Sequence, residues 1–192
     1  MARVPYVDPE SAPPDVASAL RRLPPLHVFG LMANAESAFV PWLRFGGVVL
    51  NDLALDPLLR ELAILQVGRL AAAYEWEQHV GIARTCGATD EQIAALEAGE
   101  IDAPCFTAVQ TAALAFVADM VRDGEVPDDR FAALAAELDN RLIVELALTA
   151  AQYIGLARIM TALRIDSDPP AEPGSVKVAG LWSARDRPEA NA

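Results

Sequence analysis

Lysine is all but missing from this chain: Lys177 is the only one among 192 residues, and the 15 basic residues face 27 acidic ones for a net charge of −12. Neutralising a phosphate backbone requires clustered Lys and Arg, and here the basic residues are scattered, which argues against nucleic acid as the main partner. Cysteine is nearly as scarce. Cys86 and Cys105 are far apart, and neither belongs to a C-x-x-C pair, so both read as small buried hydrophobes rather than redox partners. There is no phosphate-cradling glycine loop either: Gly46-Gly47 lies in an apolar stretch with neither the spacing nor the lysine. The longest apolar runs carry charges at helical intervals, so no membrane-spanning segment is expected. Met1 to Pro14 is polar and proline-punctuated, unlike a signal peptide, and the expectation is a cytoplasmic protein.

Sustained alternation of apolar and polar residues is also lacking, and β-branched residues are sparse in the middle of the chain. Alanine makes up much of the 53% hydrophobic fraction, which favours closely packed helices. The expected fold class is therefore all-α. Asp15 is a candidate cap for a short helix from Val16 to Leu23, stopped by Pro24-Pro25. Apolar residues from His27 to Leu50 recur at helical spacing, with Pro41 marking the start of a second helix. Asp56-Pro57 gives a cap followed by proline at the first helical position. Helices are then expected from Leu58 to Arg69 and from Tyr74 to Thr85, with a break around Ala71 to Ala73. Thr89 and Gln92 form a capping-box pattern. Three more helices follow, over Thr107 to Arg122, Asp128 to Leu138 and Asn140 to Leu163. The division expected is an arm and short helix over 1–25, a helical domain over 26–168 and a C-terminal arm or tail over 169–192, where Val176, Val178, Leu181 and Trp182 are candidate docking residues.

Against this apolar background one hexapeptide stands out: Tyr74-Glu75-Trp76-Glu77-Gln78-His79, which holds one of two histidines. In a helix Glu75 and His79 are four apart and share a face, and Trp76 lies three residues before His79. A carboxylate, an imidazole and aromatic groups in an apolar setting can carry acid–base chemistry without a cofactor. Upstream, Glu61 lies between leucines in Arg60-Glu61-Leu62, as a buried relay or as the partner of Arg60 or Arg69. Tyr74 and Trp76 suit a pocket wall or the core. Glu145 and Arg158 suit structural ion pairing, and His27 a surface position. Glu75 and His79, even with Glu61, fall short of a convincing metal site, so no metal is expected.

The stretch Asp56-Pro57-Leu58-Leu59-Arg60-Glu61-Leu62-Ala63-Ile64-Leu65, followed by Tyr74-Glu75-Trp76-Glu77-Gln78-His79-Val80-Gly81-Ile82-Ala83, resembles the carboxymuconolactone decarboxylase and alkylhydroperoxidase D superfamily. Further likeness lies in Ala88 to Leu96, Asp119 to Val126 and Asn140 to Leu146, so that it covers about residues 26 to 168. The resemblance implies an all-helical alkylhydroperoxidase D-like bundle assembled as a homo-oligomer (dimer, trimer or hexamer), with sites near subunit interfaces. The peroxidase branch uses C-x-x-C-x-x-x-H, and the positions matching its two cysteines are Ala72 and Glu75. Thiolate attack on a peroxide and its resolution need two sulfurs, so that chemistry does not transfer.

The decarboxylase branch, which uses no thiols and no cofactor, fits better. It implies a lyase-like enzyme acting by decarboxylation, isomerisation or elimination on a small organic acid or lactone. His79 would be the general acid/base, Glu61 and Glu75 would modulate it, and Tyr74 and Trp76 would bind substrate. The alternatives are a thiol-dependent antioxidant enzyme using Cys86 or Cys105, and a non-catalytic helical oligomer that binds a small molecule. Two features depart from the family pattern. The linker Ala71-Ala72-Ala73 is about one residue short, which in a continuous helix rotates a face by about 100° and puts the reach of Glu61 to His79 at issue. Tyr153-Ile154 stands where relatives commonly carry tyrosine or glycine followed by asparagine.

Overall fold

The computed structural model describes residues 1–168; the stretch 169–192, expected as an arm or tail, lies outside the described residues. Among the described residues the regular structure is helical throughout, as α1 (Pro14–Leu20), α2 (His27–Met32), α3 (Glu36–Asn51), α4 (Pro57–Ala71), α5 (Ala73–Thr85), α6 (Asp90–Ala98), α7 (Ala108–Arg122), α8 (Asp128–Ala135) and α9 (Asn140–Leu163). The described residues form two compact units, Ala54–Ile159 and Met1–Leu53 with residues 160–168, so the division falls within α9.

In the unit containing the N-terminus, α1 and α3 share a core of Val16, Ala19, Leu23, Ala33, Phe39 and Leu43, with Phe29 and Trp42 packed against it. Two local expectations are corrected here. Helix α1 begins at Pro14 with Pro13 at the cap, so Asp15 sits in the first turn; proline is favoured at the first helical position because its missing N–H would be unpaired there anyway. Pro41 lies inside α3 and does not start it. Burial of Phe39, Leu43, Gly47 and Val49 along the same helix offsets the one backbone hydrogen bond that a proline removes.

His27, expected at the surface, is held by its neighbours. Its ring stacks on Tyr6 with centroids 4.5 Å apart, and its Nδ1 lies 2.8 Å from the buried Asp168 carboxylate. The Tyr6 hydroxyl donates to Asp166 at 3.0 Å, and Val7 N–H donates to the Gly30 carbonyl at 3.0 Å. These contacts tie the proline-rich lead-in down along its length.

The second unit is built around α4. Every residue from Leu59 to Gly68 is buried, including Arg60, Glu61 and Gln66. A helix apolar on nearly all sides belongs in an interior, and α4 packs against α5, α6 and α7. Its four bulky residues Leu62, Ile64, Leu65 and Val67 are each fully buried, worth about 1.5–3 kcal/mol apiece. Asp56 caps the helix by accepting from Leu59 N–H at 2.9 Å, as its sequence predicts. Gln66 satisfies a buried demand by donating to the Leu114 carbonyl of α7 at 3.1 Å. Thr89 with Gln92, and Thr107 with Gln110, form complete capping boxes at α6 and α7.

Helix α9, at 24 residues, is long and apolar enough to cross a membrane by length and composition alone, and a third of the relevant window is buried in the protein. Length and composition alone do not make α9 a membrane span, because the core helix of a folded protein meets the same criterion. Its Ile143, Leu146, Ala150, Tyr153 and Ala157 are buried at alternating three- and four-residue spacing. Glu145 receives Arg141 Nε at 2.9 Å and Leu55 N–H at 2.8 Å, a structural role of the kind expected. Arg158 instead reaches the Val121 carbonyl at 3.4 Å rather than an acidic partner.

Candidate functional site

Two devices bring the polar residues of α4 and α5 together. The first is the break at Ala72, whose φ of −159° and ψ of 112° are those of extended backbone. The second is Gly68, one helical turn above Ile64 and Leu65. A Cβ placed on it would lie 2.7 Å from Trp76 N and 3.2 Å from the Glu75 carbonyl carbon. No side chain fits that gap, so α5 runs with its backbone against α4 at the residues that carry the motif.

The geometry that results is a buried three-residue chain. Arg60 Nε donates to Glu61 Oε1 at 3.1 Å, and His79 Nδ1 lies 2.9 Å from Glu61 Oε2. Glu61 is fully buried and His79 is 8% exposed. A carboxylate only accepts, so Nδ1 carries the hydrogen of this contact and Nε2 is the ring nitrogen left to face a ligand. Glu61 thus contacts both His79 and Arg60, and not Arg69. The short linker does not turn it away, because the extended residue at Ala72 resets the helical phase between α4 and α5.

Glu75 lies one turn before His79 on the same face of α5. It is only 2% exposed, and neither of its carboxyl oxygens has a hydrogen-bond partner among the described residues. Burial pushes its pKa up to about 8, opposed by its own backbone N–H, so the carboxyl is neutral at pH 7. Tyr74 beside it is buried at 8% exposure. Trp76 is half-buried and packs against the cluster of Leu62, Leu65, Ile93, Leu96 and Leu114. It also borders a shallow depression lined by Gly68, Arg69, Ala71, Ala72, Ala73 and Glu97.

Sequence reasoning did not place Tyr153 in the site. Its ring meets that of His79 edge-on, with centroids 5.0 Å apart at 88°. Burial holds its phenol well above the usual range, with the nearby Glu61 and Glu75 carboxyl groups adding to the shift, so the O–H stays protonated. The sequence offered only a weak signal: one tyrosine in the inward row of an apolar helix, just before Ile154, the residue noted as departing from relatives. Cys86, which caps the end of α5, is partly exposed. Burial pushes its thiol up and nearby Glu61 adds to this, with Arg60 opposing. Among the described residues no group of three or more His, Cys, Asp or Glu side chains is disposed to hold a metal ion.

The model of the carboxymuconolactone decarboxylase family matches residues 38–119, which include all of α4, α5 and α6. That match spans less than half of the chain, and with the shared fold below it supports kinship with the carboxymuconolactone decarboxylase and AhpD-like superfamily. Solved structures of the same fold include a peroxidase-related protein with an alkylhydroperoxidase AhpD core from Ralstonia eutropha JMP134, 18% identical, with a TM-score of 0.74 over 87% of this chain and 92% of that one. A peroxidase-related protein from Silicibacter sp. TM1040 is 17% identical with a TM-score of 0.74 and the same coverage. A protein of unknown function from Agrobacterium tumefaciens, described as a putative antioxidant defence protein AhpD, is 22% identical with a TM-score of 0.63, over 71% of this chain and 95% of that one. At these identities the likeness fixes the AhpD-like helical fold. No curated protein matches the chain.

Proposed function

We propose that this protein is a carboxymuconolactone decarboxylase-like, cofactor-independent acid–base enzyme acting on a small organic acid or lactone, by decarboxylation, isomerisation or elimination. The observation that carries the reading is the buried Glu61–His79 contact at 2.9 Å, which fixes the imidazole orientation and leaves Nε2 as a proton carrier. Arg60 supports it by balancing the Glu61 charge in a site shielded from water. Glu75, neutral at pH 7, is a second proton-bearing group on the same helical face. Tyr74 lies next to it in sequence and lines the substrate site in this reading, with Trp76 on the neighbouring face of α5. The same reading carries a homo-oligomeric, cytoplasmic protein. Val144, Leu148 and Ile159, exposed on α9, are apolar surface suited to a second copy.

The test is a spectrophotometric screen of unsaturated acids and lactones against the purified chain and its His79→Ala variant. Turnover that disappears in His79→Ala, with helical content and oligomeric state unchanged, is the expected result. Turnover that survives the substitution sinks the reading.

A further inference from the structure

We infer that the Glu75 carboxyl and the Tyr153 hydroxyl form a pair of neutral hydrogen-bond donors that hold the carbonyl oxygen of an enolisable substrate opposite His79. The inference rests on the acid–base reading and names its substrate class: a carbonyl acid or lactone with an acidic C–H next to the carbonyl, or a carboxylate whose loss leaves the same enolate.

The site leaves polar groups unpaired. A buried polar group without a partner costs about 1–3 kcal/mol, and Glu75 leaves two oxygens in that state. The Tyr153 phenol, buried against His79, has no hydrogen bond among the influences on it, only burial and charge. Arg60 balances the Glu61 charge, and both Glu61 oxygens are engaged, one by Arg60 and one by His79, so the Glu61 carboxylate is not waiting for a ligand. What remains is two O–H donors and one imidazole nitrogen, brought together by α5 and α9. Their complement is an oxygen with two lone pairs beside a carbon that gains or loses a proton. A neutral carboxylic acid beside a tyrosine suits an enolate oxygen, because both donors meet developing charge without bringing a negative charge of their own.

The chemistry balances without a further reactant. His79 Nε2 takes the proton of the acidic C–H, whose bonding pair forms a carbon–carbon double bond. The carbonyl π pair moves onto oxygen, held by Glu75 and Tyr153. Where a second double bond is conjugated with this enolate, return of the proton from His79 to the far carbon of that double bond re-forms the carbonyl, moves the double bond next to it and completes an isomerisation. With a carboxylate in place of the acidic hydrogen, the C–C bond breaks instead, carbon dioxide leaves, and the same enolate is protonated by His79 recharged from water.

The probe is 4-nitrophenol, whose phenolate has its own absorption band. Below the probe's own pKa, the wild-type chain should bind it as the phenolate. Tyr153→Phe and Glu75→Leu should each weaken that binding roughly tenfold, the loss of one hydrogen bond to a charged oxygen. Glu75→Gln, which keeps a neutral donor, should bind within about threefold of wild type by the same count. Tyr153→Phe removes a single oxygen and decides the outcome if Glu75→Leu does not fold. A bound probe that stays neutral, Tyr153→Phe without effect, or Glu75→Gln that tightens binding tenfold by relieving an anion would each overturn the inference. His79→Gln separates the two readings. His79-dependent turnover without the probe pattern rejects the donor pair alone. The probe pattern with no His79-dependent turnover rejects the acid–base enzyme and leaves the donor pair standing.

Discussion

Glu61 Oε2 and His79 Nδ1 meet at 2.9 Å although 18 positions and a helix break separate them in the chain. The contact couples two outcomes, since the same carboxylate orients the imidazole and balances the Arg60 guanidinium. Glu61→Gln keeps the shape but can present its amide N–H to His79 and select the wrong tautomer. Turnover should fall by roughly 10²–10⁴ with the fold intact. Glu61→Ala should also lower unfolding free energy by about 3–5 kcal/mol, because it leaves the Arg60 charge buried and alone. Urea denaturation alongside steady-state rates distinguishes the two variants.

The buried Glu75 makes stability depend on pH in a specific direction. Its pKa rises from 4.5 to about 8 on folding, so between those values the folded chain holds a proton that the unfolded chain has released. The stability from this group is therefore complete below about pH 4.5 and drains away as pH rises through about 8, at roughly 1 kcal/mol per pH unit. Glu75→Gln cannot titrate, and its urea midpoint should lose that slope and exceed the wild-type value above pH 8. A wild-type midpoint that follows the same pH profile as Glu75→Gln between pH 5 and 8 would show the carboxyl to be ionised in the fold.

Gly68→Ala should be costly out of proportion to its size. The added methyl meets backbone atoms of Glu75 and Trp76 that cannot rotate away, so α5 must shift off α4. Overpacking of this kind costs about 1–3 kcal/mol. Because the displaced residues carry the site, turnover should drop together with the thermal midpoint. Gly81→Ala, where an added Cβ meets nothing within 4 Å, is the control and should leave both unchanged.

Replacing Cys86 and Cys105 together by serine should leave activity within about twofold, since burial and Glu61 push the Cys86 thiol away from its nucleophilic form. The measurement is turnover of the acid or lactone substrate before and after the exchange, with peroxide reduction assayed in parallel. Complete loss of either activity would point to the thiol-dependent alternative.

Much of the helical plan was legible because its punctuation is local. Asp56 with Pro57, the Thr89–Gln92 capping box, and Gly87, Gly99 and Gly124 at positive φ set boundaries within a few residues of themselves. Pro41 misled because proline signals a helix start only when propensity decides, and here the packing of α3 does. The site was legible as far as one helix carries it: Glu75 and His79 follow from spacing. Tyr153 belongs to α9, 74 positions beyond His79, and no local pattern encodes which inward residue of a distant helix meets an imidazole. Arg60 was visible as a neighbour of Glu61, but only burial turns that adjacency into charge balance. The N-terminal lead-in offered no pattern for the Tyr6, His27 and Asp168 contacts, which join residues from the two ends of the described chain.

The extended residue Ala72 separates the length of the connection from the aim of the site. A continuous helix would transmit each insertion or deletion as a rotation of everything downstream. A single non-helical residue absorbs it, leaving Gly68 to set where α5 lands. Sequences sharing this architecture are therefore free to gain or lose a residue at 71–73 without re-evolving the histidine, and an engineer can use those positions as a splice point.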